Sequence, residues 1–179
     1  MSELQKLYNE KMKKELMKEL KLKNINEVPK LEKIVISMGL GKALQDKAIY
    51  DEAVKDISAI TGQRPVITEA KKSISNFKLR KGVKVGLKLT LRRNIMYEFL
   101  ERFFNITIPR IRDFRGIDSD SFDGYGNFNM GIKDHVIFPE IEYEKIKYPF
   151  GMNITFVIKS KNDQHSFALL KKLGMPFKK

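Results

Sequence analysis

The spacing of apolar residues predicts a helix, a strand and a second helix in the first third of the chain. Apolar residues recur every four positions from Leu4 to Leu20, which is the spacing of an amphipathic helix. From Leu31 to Met38 the period changes to two, which is typical of a half-buried strand. The next helix is predicted to have Asp46 as its N-cap and to end at Gly62.

The clearest alternation in the chain lies between Lys84 and Arg92. Apolar residues occupy one set of positions, and the other set is polar: Lys84, Lys88, Thr90 and Arg92. Such a pattern fits an antiparallel sheet with one covered and one open face. Shorter or similar patterns predict strands at 65–68 and 152–159, a helix over 96–104 and a last helix capped by Asp163.

These elements follow one another without a regular strand-helix-strand rhythm, so the predicted fold class is α+β. We expect a single domain over 1–179, with helices packed on one face of an antiparallel sheet. The other face is predicted to be polar and basic, and one long basic loop is predicted to protrude from it. The chain has no run of ~20 apolar residues and begins with a polar segment, so we expect a cytoplasmic protein with no membrane partner.

Composition leaves few candidates for catalysis or metal binding. The 179 residues include no cysteine and only two histidines, which excludes disulfide scaffolds, zinc ribbons and thiol nucleophiles. His135 and His165 lack the spacing of metal ligands, so surface or capping roles are predicted for them. We expect no catalytic residue, no metal and no cofactor.

The spacing of three aspartates, Asp118, Asp120 and Asp123, is the one feature that suggests a metal. It faintly resembles a calcium loop, but the twelfth position of that loop, where a glutamate is required, is Asn129. A small metal-dependent RNA-processing enzyme is therefore the alternative to a binding protein. It depends on this aspartate spacing alone.

Positive charge is concentrated in one third of the chain. The formal net charge is +13, and residues 64–115 hold 14 basic and 4 acidic side chains. Within that third, residues 71–93 contain nine basic residues and no acidic one. Because solvated surfaces normally mix both signs, this segment indicates a polyanionic partner.

The segment 70–83 combines cations, hydroxyls, an amide and one aromatic ring. Such a set can contact phosphates, ribose and a base, so we predict a nucleic-acid-binding loop. Phe77 has two open interpretations, which are stacking on a base and folding back onto the sheet. The candidate residues of the loop are Lys71, Lys72, Ser73, Asn76, Phe77, Lys78, Arg80 and Lys81.

Residues 116–150 have the opposite charge, with 3 basic and 7 acidic side chains. A surface of this kind repels a phosphate backbone and suits a basic protein. The densest part holds Glu140, Glu142 and Glu144, which we predict to contact such a protein.

Several runs of residues closely resemble the bacterial large-subunit ribosomal protein five family, which binds 5S ribosomal RNA. They extend over the whole chain in the family's order, and runs as long as IPRIRDFRG are highly specific. The matching runs are VPKLEKIVISMGLG (28–41), ITGQRPVITEAKKSISNFKLRKG (60–82), KLTLRRNIMYEFLERF (88–103), IPRIRDFRG (108–116), SFDGYGNFNMGI (121–132), IFPEI (137–141) and LGMPF (173–177).

The resemblance implies a protein of the central protuberance of the large ribosomal subunit, where the family attaches 5S rRNA and lies beside large-subunit rRNA and other ribosomal proteins. It implies that the loop 70–83 reaches the P-site tRNA, and that another surface contacts a basic small-subunit protein in an intersubunit bridge. Assigning that bridge to the acidic segment is a charge argument. The rRNA-binding positions that the resemblance implies are Lys33, Ser37, Gln63, Lys88, Thr90 and Arg92.

Four positions depart from the family's usual residues. Asn is more common at Ser37, Gly-Glu at Arg93 and Asn94, and Arg at Tyr125. The change at Ser37 replaces an amide contact with a shorter hydroxyl contact. The change at Arg93 and Asn94 adds positive charge at the start of a helix, and the change at Tyr125 puts a phosphate contact there in doubt.

Overall fold

The computed structural model describes residues 2–41, 47–77, 79–112, 114–141 and 149–178. Its helices are α1 (Glu3–Leu7), α2 (Lys13–Glu19), α3 (Lys47–Thr61), α4 (Arg93–Arg102) and α5 (Asp163–Lys172). Its strands are β1 (Lys30–Gly39), β2 (Val66–Glu69), β3 (Lys84–Leu91), β4 (Phe128–Ile132) and β5 (Met152–Lys159). A π-helical turn, Tyr8–Met12, joins α1 to α2. None of the helices described here is long and apolar enough to cross a membrane.

The strands form one antiparallel sheet, in which the described part of the chain contributes five strands in the order β2-β3-β1-β5-β4. The edge strand β2 pairs with β3 so that Val66 lies opposite Lys88 and Thr68 opposite Gly86. The register shifts between Thr68 and Glu69. This sheet, together with the helices, confirms the predicted α+β class.

Burial along the strands follows the predicted period of two. In β1 the side chains of Ile34, Ile36 and Met38 are buried, and the residues between them are half-buried. In β5 every second residue from Met152 to Ile158 is buried. β3 buries Leu87, Leu89 and Leu91. Each of these strands therefore has one face in the core and one open face.

The sequence predicted a terminating or capping residue at three helix ends, and the structure agrees with only some of these predictions. The helix that begins at Lys47 ends as predicted, because Gly62 follows it with φ +69°, a conformation that glycine adopts without strain. Its predicted N-cap, Asp46, lies outside the described residues. At α5 the N-cap is Asn162 and not Asp163. Asp163 instead accepts a hydrogen bond from the backbone N–H of Gly126 at 2.6 Å.

The chain divides into two compact units, and the prediction of a single domain stays a prediction. The first unit comprises Met1–Ile34, Leu91–Met130 and Thr155–Lys179. Its core contains a cluster of phenylalanine rings with centroids 5.6 to 6.4 Å apart, formed by Phe99, Phe103, Phe104, Phe128 and Phe156. At its N-terminal helix, Lys172 binds the carboxylates of Glu15 and Glu19 at 2.7 and 3.4 Å.

The second unit comprises Val35–Thr90 and Gly131–Ile154. Helix α3 contributes Ala53, Ile57 and Ile60 to its core. The backbones of β1 and β3 come so close at Gly86 that a Cβ there would lie 2.5 Å from the carbonyl oxygen of Met38. Only glycine fits this position without displacing a strand.

Candidate nucleic-acid interface

In the second unit, the open faces of β1 and β3 carry three of the predicted rRNA-binding residues. Ser37 and Thr90 are half-buried and Lys88 is exposed. We call these three residues the polar strand face. They are held by strand backbone, and their neighbours in sequence, such as Leu87, Leu89, Ile36 and Met38, are buried on the other face. Lys88 makes no ion pair with any described residue, so its charge is available to an anion.

Gln63, also in the second unit, lies in the connection between α3 and β2. Its backbone N–H donates to the hydroxyl oxygen of Thr61 at 3.3 Å, and that hydroxyl lies 2.7 Å from the carbonyl oxygen of Ile57. Thr61 thereby fixes the turn after the helix, and the side chain of Gln63 is half-buried.

The remaining two predicted rRNA-binding residues belong to the first unit. Lys33 is half-buried on β1. Arg92 is exposed and has the extended backbone of an N-cap residue, with φ −141° and ψ 159°, directly before α4. The structure thus places Arg92 one residue beyond the end of β3. Its backbone is still extended, so the alternation of buried and exposed residues continues from Leu91 to Arg92, although the strand has ended.

The segment 70–83 is a hydrogen-bonded hairpin, which we call the basic hairpin. Ala70 donates to the carbonyl oxygen of Val83 at 2.8 Å, and the backbones of Ile74 and Leu79 exchange two hydrogen bonds of 2.9 and 3.1 Å. The backbone N–H of Lys81 donates to the hydroxyl oxygen of Ser73 at 3.0 Å. The predicted loop therefore has internal order, and Ser73 helps to build it.

The side chains of the basic hairpin point mostly into solvent. The exposed cations and amide are Lys71, Lys72, Asn76, Arg80 and Lys81. Phe77 is 71% exposed in the turn Ser75–Phe77, so the interpretation in which it folds back onto the sheet is wrong. Lys78 lies outside the described residues.

The acidic segment is described only in part. Glu140 is half-buried, and Glu142 and Glu144 lie outside the described residues. Tyr125 is 84% exposed.

The three aspartates that suggested a metal do not come together as a site. Asp118 pairs with Lys178 at 2.5 Å. Asp123 accepts hydrogen bonds from the side-chain amide of Asn127 and from the backbone N–H groups of Tyr125 and Asn127, which together lower the pKa of its carboxyl. Asp123 is therefore a turn-forming residue. Among the ranges described above, no group of three potential metal ligands comes together.

His135 is fully buried, so the predicted surface or capping role is wrong for it. Its Nδ1 accepts the backbone N–H of Phe150 at 3.0 Å, which places the ring proton on Nε2, 3.3 Å from Asp56 Oδ2. Burial raises the pKa of Asp56, and His135 opposes that rise. The apolar run Val136–Phe138, which directly follows His135, is the sequence feature that could have indicated its burial. His165, at the start of α5, is half-buried.

Comparison with known proteins gives full-length matches. The family model "Ribosomal protein L5" matches residues 24–80, and the model for the C-terminus of the same ribosomal protein family matches residues 84–177. The chain is 54% identical over 178 residues to the large ribosomal subunit protein uL5 of Geotalea daltonii, covering 99% of both chains. It is 53% identical to that of Desulforamulus reducens and 50% identical to that of Fusobacterium nucleatum, covering 99% and 97% of those chains.

Proposed function

The chain belongs to the ribosomal protein L5 family, and from that premise we propose that it binds 5S rRNA and helps to attach it to the large ribosomal subunit in the central protuberance. It is a structural constituent of that subunit and not an enzyme. The alternative of a metal-dependent RNA-processing enzyme is therefore wrong. Its place of action is the bacterial ribosome in the cytoplasm.

The polar strand face is the observation that carries this proposal. It presents a cation and two hydroxyls from adjacent strands, and Lys88 has no carboxylate partner in the described ranges. Structured RNA displays its 2′-hydroxyls and phosphates along a wide and shallow minor groove, which such an open sheet face can approach. Lys33, which lies on β1, and Arg92, which directly follows β3 in sequence, add two cations, and Gln63 adds an amide.

Two further contacts complete the proposal. The basic hairpin binds the P-site tRNA, because its exposed cations suit phosphates and the exposed Phe77 can stack on a base or ribose. The acidic segment that includes Glu140 contacts a basic small-subunit protein in an intersubunit bridge. Large-subunit rRNA and neighbouring ribosomal proteins are the remaining partners.

Binding to a 5S rRNA transcript tests the proposal. At physiological ionic strength the protein should bind the transcript more tightly than a control RNA of equal length. Thr90→Ala and Arg92→Ala should each weaken this binding by roughly 1 to 3 kcal/mol if both side chains contact RNA edges directly. Filter binding or fluorescence anisotropy measures the difference.

Two matched variants separate direct contact from a change of fold or net charge. Thr90→Ser keeps the hydroxyl and should retain most of the affinity. Lys55→Ala removes an exposed cation from α3 and should leave 5S binding close to that of the unmodified protein. Equal affinity for the 5S transcript and the control RNA would rule out the proposed function.

A further inference from the structure

A cavity of about 850 Å³ lies within the first unit. Its walls come from the N-terminal helix, the segment before β1, the start of β1, the start of α4 and the end of β5. None of Lys33, Ser37, Gln63, Lys88, Thr90 and Arg92 lines it. Its volume is within the range of pockets that bind organic ligands in proteins.

The charged side chains around this cavity are mostly cationic. Lys13, Lys30, Arg93 and Lys159 line it, together with the single carboxylate of Glu32. Within the part of the chain that the structure describes, none of the four cations forms an ion pair. Four cations that line one cavity without ion-pair partners favour an anion with several charges over a neutral ligand.

Arg93 lines the cavity and has a strained backbone. Its φ is +55°, in the left-handed region that only glycine adopts without cost. For a residue with a Cβ the cost is about 1 to 2 kcal/mol. Backbone strain of this kind clusters at functional sites, and Arg93 is both exposed and part of the cavity lining.

Lys21 is the other described non-glycine residue with positive φ, at +51°, and its strain has a local cause. It follows α2, and the N–H of Leu22 donates to the carbonyl oxygen of Met17 at 3.0 Å, as at many helix C-termini. Lys21 is exposed and does not line the cavity. Arg93 stands at the start of a helix, where a left-handed residue is not needed to end hydrogen bonding.

Polar groups suited to a nucleoside also line the cavity. Tyr8 and Tyr97 are buried and line it, with ring centroids 6.3 Å apart. The hydroxyl of Tyr8 donates to Pro29 O at 2.9 Å, whereas that of Tyr97 has no partner among the described residues. Burial raises the pKa of Tyr97 to about 12, so its hydroxyl stays a donor at neutral pH. Asn9 and Asn26, which carry side-chain amides, also line the cavity.

We propose that this cavity is a second RNA-binding site, which takes a short single-stranded or looped segment and holds its phosphates with Lys13, Lys30, Arg93 and Lys159. The Tyr97 hydroxyl and the two amides contact the ribose or a base edge. This inference takes RNA as the ligand class and so rests on the proposed function, but it uses none of the residues on which 5S binding is proposed to depend.

The test compares Arg93→Gly with Lys21→Gly, using a fluorescein-labelled pentaadenylate RNA as the probe. Both variants remove one positive charge and relieve one strained residue, so both should raise the melting temperature by about 2 to 4 °C. Arg93→Gly alone should weaken pentaadenylate binding, about five-fold or more, and reduce the dependence of log affinity on log salt by about one. If Arg93 had only a structural role, Arg93→Gly would raise the melting temperature without changing the affinity for pentaadenylate.

The outcomes separate this inference from the proposed function. If both variants bind pentaadenylate equally well, the inference is wrong, even where Thr90→Ala still weakens 5S binding. If the protein does not prefer 5S rRNA over the control RNA but Arg93→Gly still weakens pentaadenylate binding, the inference holds and the proposed function fails. If a hexaglutamate peptide binds as tightly as pentaadenylate and is equally weakened by Arg93→Gly, the site takes an acidic peptide and the RNA assignment is overturned.

Discussion

The polar strand face and the basic hairpin present similar chemistry on very different supports. Both lie in the second unit and both offer cations and hydroxyls to solvent. On the strand face, the residues next to Lys88 and Thr90 in sequence are buried, so the backbone cannot move without opening the core. In the hairpin, every described side chain from Lys71 to Phe77 is exposed, and a few backbone hydrogen bonds hold the shape.

This difference indicates a division of labour. A surface fixed by the core can hold hydroxyl and ammonium groups at the positions that a structured RNA requires. A hairpin with few buried contacts opens at a low free energy, so it suits a partner that is bound mainly through phosphates. We therefore expect 5S rRNA to depend on the position of the strand face and tRNA to depend on the charge of the hairpin.

Two glycine substitutions should give the largest contrast in stability. Gly86→Ala puts a Cβ 2.5 Å from the backbone oxygen of Met38, so one strand must shift, and we expect a loss of about 3 kcal/mol in the free energy of unfolding. Gly82→Ala has open space around the new Cβ and adds only the strain of φ +85°, about 1 kcal/mol. Urea unfolding measures both. Equal losses would mean that the hairpin is as tightly coupled to the core as the strands are.

Charge reversal in the hairpin should separate the two RNA partners. Lys71→Glu, Lys72→Glu and Arg80→Glu together replace three exposed cations and should weaken P-site tRNA binding to reconstituted ribosomes by about two orders of magnitude at low salt. The affinity for 5S rRNA should change little, because the strand face is untouched. Replacing the same residues with glutamine should cause a smaller loss. If the affinities for tRNA and for 5S rRNA fell by the same factor, the division of labour would be contradicted.

Much of the fold was predictable because the strands have one face in the core. The alternation in β1, β3 and β5 follows directly from burial of every second residue, and the same alternation predicted Lys88, Thr90 and Arg92 on the polar side. Contacts between residues far apart in the chain leave no such pattern in the sequence. The buried pair of His135 and Asp56, which are 79 residues apart in sequence, arises only when the chain has folded.

The cavity of the first unit could not be predicted for the same reason. Its cations come from four separate segments of the chain, and each of them, taken alone, looks like an ordinary surface lysine or arginine. The internal order of the basic hairpin was equally hidden, because its hydrogen bonds are mostly between backbone groups, which the side-chain pattern does not encode.

The smallest expected effect concerns that internal order. Ser73→Ala removes the hydroxyl that accepts the N–H of Lys81 at 3.0 Å, an exposed hydrogen bond for which we expect a cost of about 0.5 to 1 kcal/mol. Because the hairpin can open without the core, this cost should appear as faster hydrogen exchange at Lys81 and its neighbours, with the melting temperature nearly unchanged. Ser75→Ala, in the same hairpin, removes a hydroxyl and leaves this bond in place, so it serves as the control. A melting temperature lowered by several degrees in Ser73→Ala alone would mean that the hairpin and the strands unfold as one cooperative unit, and the contrast between the two RNA-binding regions would then lie in charge alone.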